Sequence, residues 1–198
     1  MIAGARARRP AALSYTRDTD LAMIELARSV TSAALSARPP RTVSPSVRRA
    51  QPADLPALTR LVNRAHAIEA FFVDGERVDQ AEVAALRERG HLLVLDGDGG
   101  DLAAAIYVCI DGARGTIGLL SVAPDHQGRG LGRRLVAVAE ALCAAVGCGD
   151  VELAVVNLRQ ELGSWYRSQG YREIGTAPYD QRPVKQPCHF VRMQKALA

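Results

Sequence analysis

The sequence has 198 residues, 48% of them hydrophobic, which is enough to bury the core of one domain. Its net charge of +4 suggests an acidic partner, but seven arginines against three acidic residues within 1–46 account for the whole excess. The other 18 basic and 18 acidic residues cancel. A neutral main segment lacks the positive surface that binds phosphate backbones, so we expect no nucleic-acid partner.

The cysteines give no sign of a metal site or of a disulfide framework. Cys109, Cys143, Cys148 and Cys188 include no CxxC pair, and the two central ones lack neighbouring histidines. We expect reduced thiols that pack as small apolar residues, no metal, and a cytoplasmic location. No apolar run reaches the roughly 20 residues of a membrane span, and no secretory signal pattern follows the N-terminal arginines, so we expect no membrane partner.

A proline-rich linker divides the chain. Residues 36–46 read SARPPRTVSPS, in which three prolines stand among small polar residues. The segment before it, 20–35, carries only a thin apolar stripe at helical spacing. We therefore predict a poorly ordered basic extension and linker over residues 1–46, and one folded domain over residues 47–198.

After the linker, apolar runs and turn residues alternate regularly. Strands are predicted where short apolar runs end at Gly or Asp, and helices where apolar residues recur every three to four positions. The predicted elements are a strand at 47–50, a helix that opens at Pro52, a helix at 78–89, strands at 91–95, 102–110 and 116–122, a helix at 132–146, a strand at 151–156, a helix at 158–169, and strands at 171–174 and 189–193. This order predicts an α/β fold with a mixed sheet covered by helices.

The segment 119–135, LLSVAPDHQGRGLGRRL, carries the most specific pattern of the chain. Gly128, Gly130 and Gly132 lie between an apolar strand and an apolar helix. Backbone N–H groups at a helix start are unpaired and carry partial positive charge, and glycine lets a phosphate approach them closely. The segment lacks the lysine of GxxxxGK[ST], and it lies too late in the chain for a first-strand GxGxxG. We predict that it binds a phosphate or pyrophosphate.

This loop matches (Q/R)-x-x-G-x-(G/A), with Gln127, Gly130 and Gly132 at the three fixed positions. At this point the sequence resembles the GNAT superfamily of N-acetyltransferases. Downstream, the strand at 151–156 is followed by an asparagine, and the next helix holds a tyrosine ahead of a Gly-aromatic pair, as in that family. The resemblance spans roughly 47–198. It implies a sheet splayed at its centre, acetyl-CoA as acyl donor and an amine as acceptor.

The resemblance also implies which residues contact the cofactor. The family's glycine loop binds the pyrophosphate of acetyl-CoA, and the strand before it pairs with the pantetheine arm as an added strand would. The asparagine resembles the family residue that hydrogen-bonds the end of that arm. The residues so assigned are Leu120, Ser121, Val122, Gln127, Gly128, Arg129, Gly130, Leu131, Gly132, Arg133 and Asn157.

Tyr166 is the candidate catalytic residue. A phenol near the thioester sulfur can protonate the departing thiolate as a general acid, which is the usual role of the family's tyrosine. The alternative is a tyrosine that packs in the core beside Trp165. The general base stays open, because the strand at 116–122 has no carboxylate where many relatives place a glutamate. The candidates for the base are Glu69, Glu76, His189 and a water chain.

Together these patterns predict an N-acetyltransferase that acts on a primary amine of a small molecule or peptide, as a monomer or homodimer. The alternative is a catalytically weak acyl-CoA-binding module with a regulatory role. Tyr166 favours the enzyme, whereas the missing strand carboxylate favours the binding module.

Overall fold

The computed structural model describes residues 46–197, so the predicted extension over 1–46 lies, apart from Ser46, outside the described residues. All the predicted strands and helices from residue 47 onward are present, in the predicted order. They are β1 (Val47–Arg49), α1 (Leu55–His66), α2 (Gln80–Arg89), β2 (His91–Asp96), β3 (Leu102–Asp111), β4 (Arg114–Val122), α3 (Leu131–Ala145), β5 (Asp150–Val156), α4 (Gln160–Arg167), β6 (Arg172–Pro178) and β7 (His189–Ala196).

The seven strands form one sheet in the order β1-β2-β3-β4-β5-β7-β6. β4 and β5 are parallel, and every other neighbouring pair is antiparallel. Helices α1 and α2 pack on one face of this sheet, and α3 and α4 pack on the other. The predicted α/β fold with a mixed sheet flanked by helices is confirmed.

The sheet opens between its two parallel strands. β4 and β5 pair over only three rows, which join Arg114 to Asp150, Gly115 to Val151 and 116 to 152. Beyond the third row the strands separate, so the C-terminal half of β4 has no partner strand on that side among residues 46–197. The predicted central splay is therefore present, and we call this opening the split.

A β-bulge lies on β4 beside the split. On the β3 side the register shifts so that Leu119 and Leu120 together lie opposite Ile106. Leu119 has a φ of 48°, in the left-handed region that leucine rarely adopts. The hydroxyl of the fully buried Ser121 donates a hydrogen bond of 3.0 Å to the Leu119 carbonyl, which helps to hold this conformation.

The bulge also separates the two cores. Leu119 packs with the core between the sheet and α1, whereas Leu120 packs with the core under α3 and α4. α1 buries Leu58, Leu61 and Val62, which share one helical face, in the first of these cores. Burial on both faces of β4 fixes the strand while its far edge stays open.

Gly115 is required where β4 and β5 pair. A Cβ atom at this position would lie 2.4 Å from Sγ of the fully buried Cys143 and 3.1 Å from its Cβ. We expect Gly115→Ala to lower the free energy of unfolding by about 1–3 kcal/mol, as overpacking of a filled core does. Gly118→Ala on the same strand is the matched control, because a Cβ there meets nothing within 4 Å. Equal urea midpoints for Gly115→Ala and the parent would contradict the prediction.

Candidate active site

The glycine-rich loop leads from the end of β4 into α3. Gly128 and Gly130 have φ values of 72° and 78°, a conformation that glycine adopts without steric cost. A Cβ at either position would meet no atom within 4 Å, so the loop surface is open to a ligand. The first helical hydrogen bond runs from Arg134 N–H to the Gly130 carbonyl, 3.1 Å. The N–H groups of the preceding helical residues have no helical acceptor, as at any helix start.

Polar side chains around this loop divide into two kinds. Gln127 is used internally, because its Nε2 donates to the Val122 carbonyl at 3.2 Å and ties the loop to the end of β4. Arg129 and Arg133 are exposed and form no ion pair with any residue in 46–197. Their charges are therefore available to an anionic group at the loop.

The edge of β4 at the split presents backbone hydrogen-bonding groups. The Ala123 N–H donates to the Ala103 carbonyl on the β3 side, 2.9 Å. Because alternate residues of a strand direct their N–H and C=O groups to the same side, Leu120 and Val122 direct theirs toward the split. One of these groups, the Val122 carbonyl, is already bound to Gln127. The Val122 N–H and the backbone groups of Leu120 face the opening.

The first turn of α3 packs closely on its surroundings. A Cβ on Gly132 would lie 3.6 Å from the ring of Trp165 and 3.7 Å from the side chain of Leu120, which is ordinary van der Waals contact. Packing therefore does not require glycine at position 132, whereas Gly128 and Gly130 have the positive φ that favours glycine. This packing brings the loop, the split and α4 together.

Tyr166 lies on α4 with its ring buried in the core beside the split. The ring makes edge-on contacts with Trp165 and Tyr171, with centroids 4.8 and 5.5 Å apart. Burial alone shifts its pKa, and no hydrogen bond from its hydroxyl to a residue in 46–197 contributes. Burial raises the pKa of the Tyr166 phenol above its usual value, so the hydroxyl keeps its proton and can donate it.

Asn157 follows β5 on the other side of the split. Its N–H donates to the His189 carbonyl at 3.0 Å, and its side-chain oxygen accepts from the His189 N–H at 2.9 Å. The side-chain NH₂ group forms no hydrogen bond within residues 46–197 and remains a donor. The backbone of His189 thus holds Asn157 in place, whereas the His189 side chain lies at the surface.

A cavity of about 250 Å³ lies where α1 ends. Its walls come from α1, from the 3₁₀ turn Ala67–Phe71 and from the loop that follows. Arg64 of α1 lies 3.5 Å from Asp125, just after β4, and Glu69 lies 3.4 Å from Arg159, just after β5. These contacts place the cavity beside the C-terminal ends of the two strands that border the split.

The two glutamates proposed as bases differ sharply in this cavity. Glu76 is exposed and accepts a hydrogen bond from Asn63 at 3.0 Å. Glu69 is buried, and its carboxylate contacts His66 at 3.1 Å as well as Arg159. His66 and Arg159 were not singled out from the sequence. The spacing His66-x-x-Glu69 at a helix end is the signal that could have found the first of them.

Part of the chain matches a known protein family. Residues 88–173 match the protein family described as acetyltransferase (GNAT) domain. The matched segment 88–173 is a GNAT acetyltransferase domain by this comparison. The predicted family and the predicted acyltransferase class are therefore confirmed, and the glycine loop lies inside the matched segment.

Solved structures share the fold of this GNAT domain at low sequence identity. One is the ribosomal-protein-S18-alanine N-acetyltransferase of Escherichia coli, 22% identical, covering 77% of this chain and 93% of that chain, with a TM-score of 0.62. Nourseothricin acetyltransferase is 22% identical, covering 79% and 100%, with a TM-score of 0.63. A phosphinothricin acetyltransferase of Sinorhizobium meliloti, solved with AcCoA, is 16% identical, covering 79% and 90%, with a TM-score of 0.64. Among curated proteins, none matches the sequence significantly.

The described residues hold neither a metal-ligand cluster nor a membrane-spanning helix. No cluster of three or more His, Cys, Asp or Glu side chains in residues 46–197 is arranged to hold a metal ion. In the same residues no helix is long and apolar enough to cross a membrane. The polar groups of the candidate site lie at the glycine loop, at the split and in the cavity at the end of α1.

Proposed function

We propose that this protein transfers an acetyl group from acetyl-CoA to a primary amine of a small molecule or peptide. The observation that carries the proposal is the junction of an open strand edge with an anion-binding helix start. The unpaired backbone groups of β4 lead directly into the N–H groups that precede Arg134. A donor with a pyrophosphate and an amide-bearing arm matches both halves of that junction.

The donor is supported by the chemistry of each half. The open loop at Gly128 and Gly130 leaves room for phosphate oxygens, and the exposed Arg129 and Arg133 add positive charge. The Val122 N–H and the backbone of Leu120 suit the amides of a pantetheine arm. The structure solved with AcCoA has the same fold at 16% identity, which agrees with this assignment.

Tyr166 and Asn157 would then act at the reacting end. Attack of an amine on a thioester forms a C–N bond and breaks the C–S bond, and the sulfur leaves as a thiolate. The Tyr166 hydroxyl, whose pKa reflects burial with no hydrogen bond to a residue in 46–197, supplies a proton to that sulfur. The Oδ1 of Asn157 is bound to the His189 N–H, and its NH₂ group, which donates to no residue in 46–197, would hold the end of the arm.

A screen of amine acceptors tests the proposal. The full chain is incubated with acetyl-CoA and, separately, 2-phenylethylamine, L-lysine, glycylglycine and spermidine, while free thiol and acetylated amine are measured. We expect acetyl-CoA to raise the melting temperature and at least one amine to be acetylated. Failure of acetyl-CoA to raise the melting temperature would overturn the proposal. Binding without transfer to any amine would favour the regulatory acyl-CoA-binding module instead.

A further inference from the structure

His66 and Glu69 form a buried pair in the cavity at the end of α1. The His66 Nδ1 lies 3.1 Å from Oε1 of Glu69, whose side chain is 10% exposed. Burial alone would raise the pKa of Glu69, but the hydrogen bond with His66 and the charges of His66, Arg77 and Arg159 lower it overall. The carboxyl group is therefore ionised at neutral pH.

The ionised carboxylate determines where the proton of the imidazole resides. A carboxylate only accepts hydrogen bonds, so Nδ1 must be the donor, and the neutral ring then carries its lone pair on Nε2. That Nε2 atom is buried and has no hydrogen-bond partner in the part of the chain that the structure describes. A buried polar atom without a partner costs free energy, and such atoms recur at catalytic positions.

We propose that His66 is the general base of the reaction and that its Nε2 takes a proton from the ammonium group of the acceptor. Glu69 is the positioning residue that holds the ring. This inference rests on the proposed function, because it assigns a role within acetyl transfer. It replaces Glu69 as the base, since the Glu69 carboxylate is engaged by His66 and Arg159. Nε2 is covered in the structure, so part of the cavity wall must move aside to admit the amine.

The proton and bond changes balance along this route. Nε2 takes one proton from the ammonium, and the freed amine attacks the thioester carbonyl carbon, forming the C–N bond. The C–S bond breaks, and the thiolate takes the Tyr166 proton. The new amide nitrogen releases its extra proton, which restores Tyr166 through water. His66 then gives its proton to solvent, so each transfer releases one proton.

The first test needs no acceptor. Nitrogen NMR of the uniformly labelled full chain distinguishes a protonated from an unprotonated ring nitrogen, and the His66→Gln variant assigns the signals of His66. At a pH where the ring is neutral, we expect Nδ1 to carry the proton and Nε2 to be bare. A neutral ring protonated on Nε2 would overturn the proposal, whatever the acceptor.

The second test uses whichever amine of the panel is acetylated. His66→Gln keeps a donor to Glu69 but has no base, so we expect kcat to fall about 10²–10⁴-fold while the acetyl-CoA melting shift persists. If acetyl-CoA does not raise the melting temperature of the parent protein, the proposed function itself is wrong. A parent-like kcat in the variant would overturn this inference alone.

The position of the proton on the His66 ring separates a positioning role of Glu69 from structural support. The charged groups around His66 are Glu69 in the 3₁₀ turn, Glu76 and Arg77 in the next loop, and Arg159 after β5. Glu69→Gln replaces a carboxylate that only accepts with an amide that can also donate, so nitrogen NMR should show part of the neutral ring protonated on Nε2 instead of Nδ1. Glu161→Gln is the matched control, because Glu161 also contacts Arg159 but is exposed. A neutral ring that stays protonated only on Nδ1 in Glu69→Gln would contradict the positioning role.

Discussion

Tyr166→Phe is expected to lower turnover about 10²-fold while leaving acetyl-CoA binding and folding stability nearly unchanged. Burial alone shifts the pKa of the Tyr166 hydroxyl, with no hydrogen bond to a residue in 46–197, so its removal leaves no buried partner unpaired. The ring keeps its contacts with Trp165 and Tyr171. General acid catalysis is worth about 10²–10⁴-fold. Burial raises the pKa of the phenol and so makes it a weaker acid, which places the expected loss at the lower end.

The sign of this pKa shift also fixes the pH dependence. The phenol acts only while it holds its proton, and a raised pKa extends that condition to higher pH. We therefore expect no fall in rate from Tyr166 ionisation below about pH 10. Rates are measured with a saturating amine and with chemistry rate-limiting.

Tyr171→Phe is the matched control for this experiment. The Tyr171 hydroxyl donates to Glu140 at 2.9 Å, and Lys195 binds the other oxygen of that carboxylate at 2.6 Å. Its loss should lower the free energy of unfolding by about 1.5–3 kcal/mol, as for hydrogen bonds to charged groups, without a comparable loss of turnover. Turnover of Tyr166→Phe within about twofold of the parent would reduce Tyr166 to a packing residue.

Gly130→Asp is expected to abolish acetyl-CoA binding. With acetyl-CoA at about 100 times its Kd, binding stabilises the parent by about 2.7 kcal/mol, which raises the Tm by roughly 5–10 °C for a chain of this size. The aspartate would place a negative charge where the N–H groups of the α3 start face a pyrophosphate. A Cβ at this position meets no atom within 4 Å, so the variant should still fold.

Backbone strain must be separated from charge in that variant. Gly130 has a φ of 78°, which costs a non-glycine residue roughly 1 kcal/mol, although Asp and Asn tolerate it best. Gly130→Asn carries the same strain and nearly the same volume without the charge, so it should retain part of the shift. Each shift is measured against the variant's own Tm without acetyl-CoA. An undiminished shift in Gly130→Asp would remove the loop from the pyrophosphate site.

The order of elements was predictable because local signals mark them. The Asp96–Gly100 turn between two apolar runs specified the β2–β3 hairpin, and the structure has it. α2 begins at Gln80, two residues later than predicted, because Asp79 caps it by accepting from the Glu82 N–H at 2.7 Å. β6 extends to Pro178 rather than ending at 174, because pairing with β7 defines it while its side chains are mostly exposed.

The site was predictable only where it is local in sequence. The loop and Tyr166 follow patterns of a few residues, and the structure brings both beside the split. The cavity instead unites α1, the segment after it and the β5–α4 loop, since Arg159 is ninety positions from Glu69. No spacing in the sequence indicates that approach, which is why Arg159 was not predicted to lie beside Glu69.

The bulge at Leu119 and Leu120 bears on aggregation as well. An open strand edge inside a sheet resembles the outer edges through which proteins add foreign strands and form fibres. The extra residue disturbs the regular spacing of N–H and C=O groups along β4, so an ordinary peptide strand cannot match it over more than a few bonds. The same irregularity tolerates an arm whose amides are spaced differently from those of a peptide. The β-bulge beside the split therefore also disfavours strand pairing between copies of the protein.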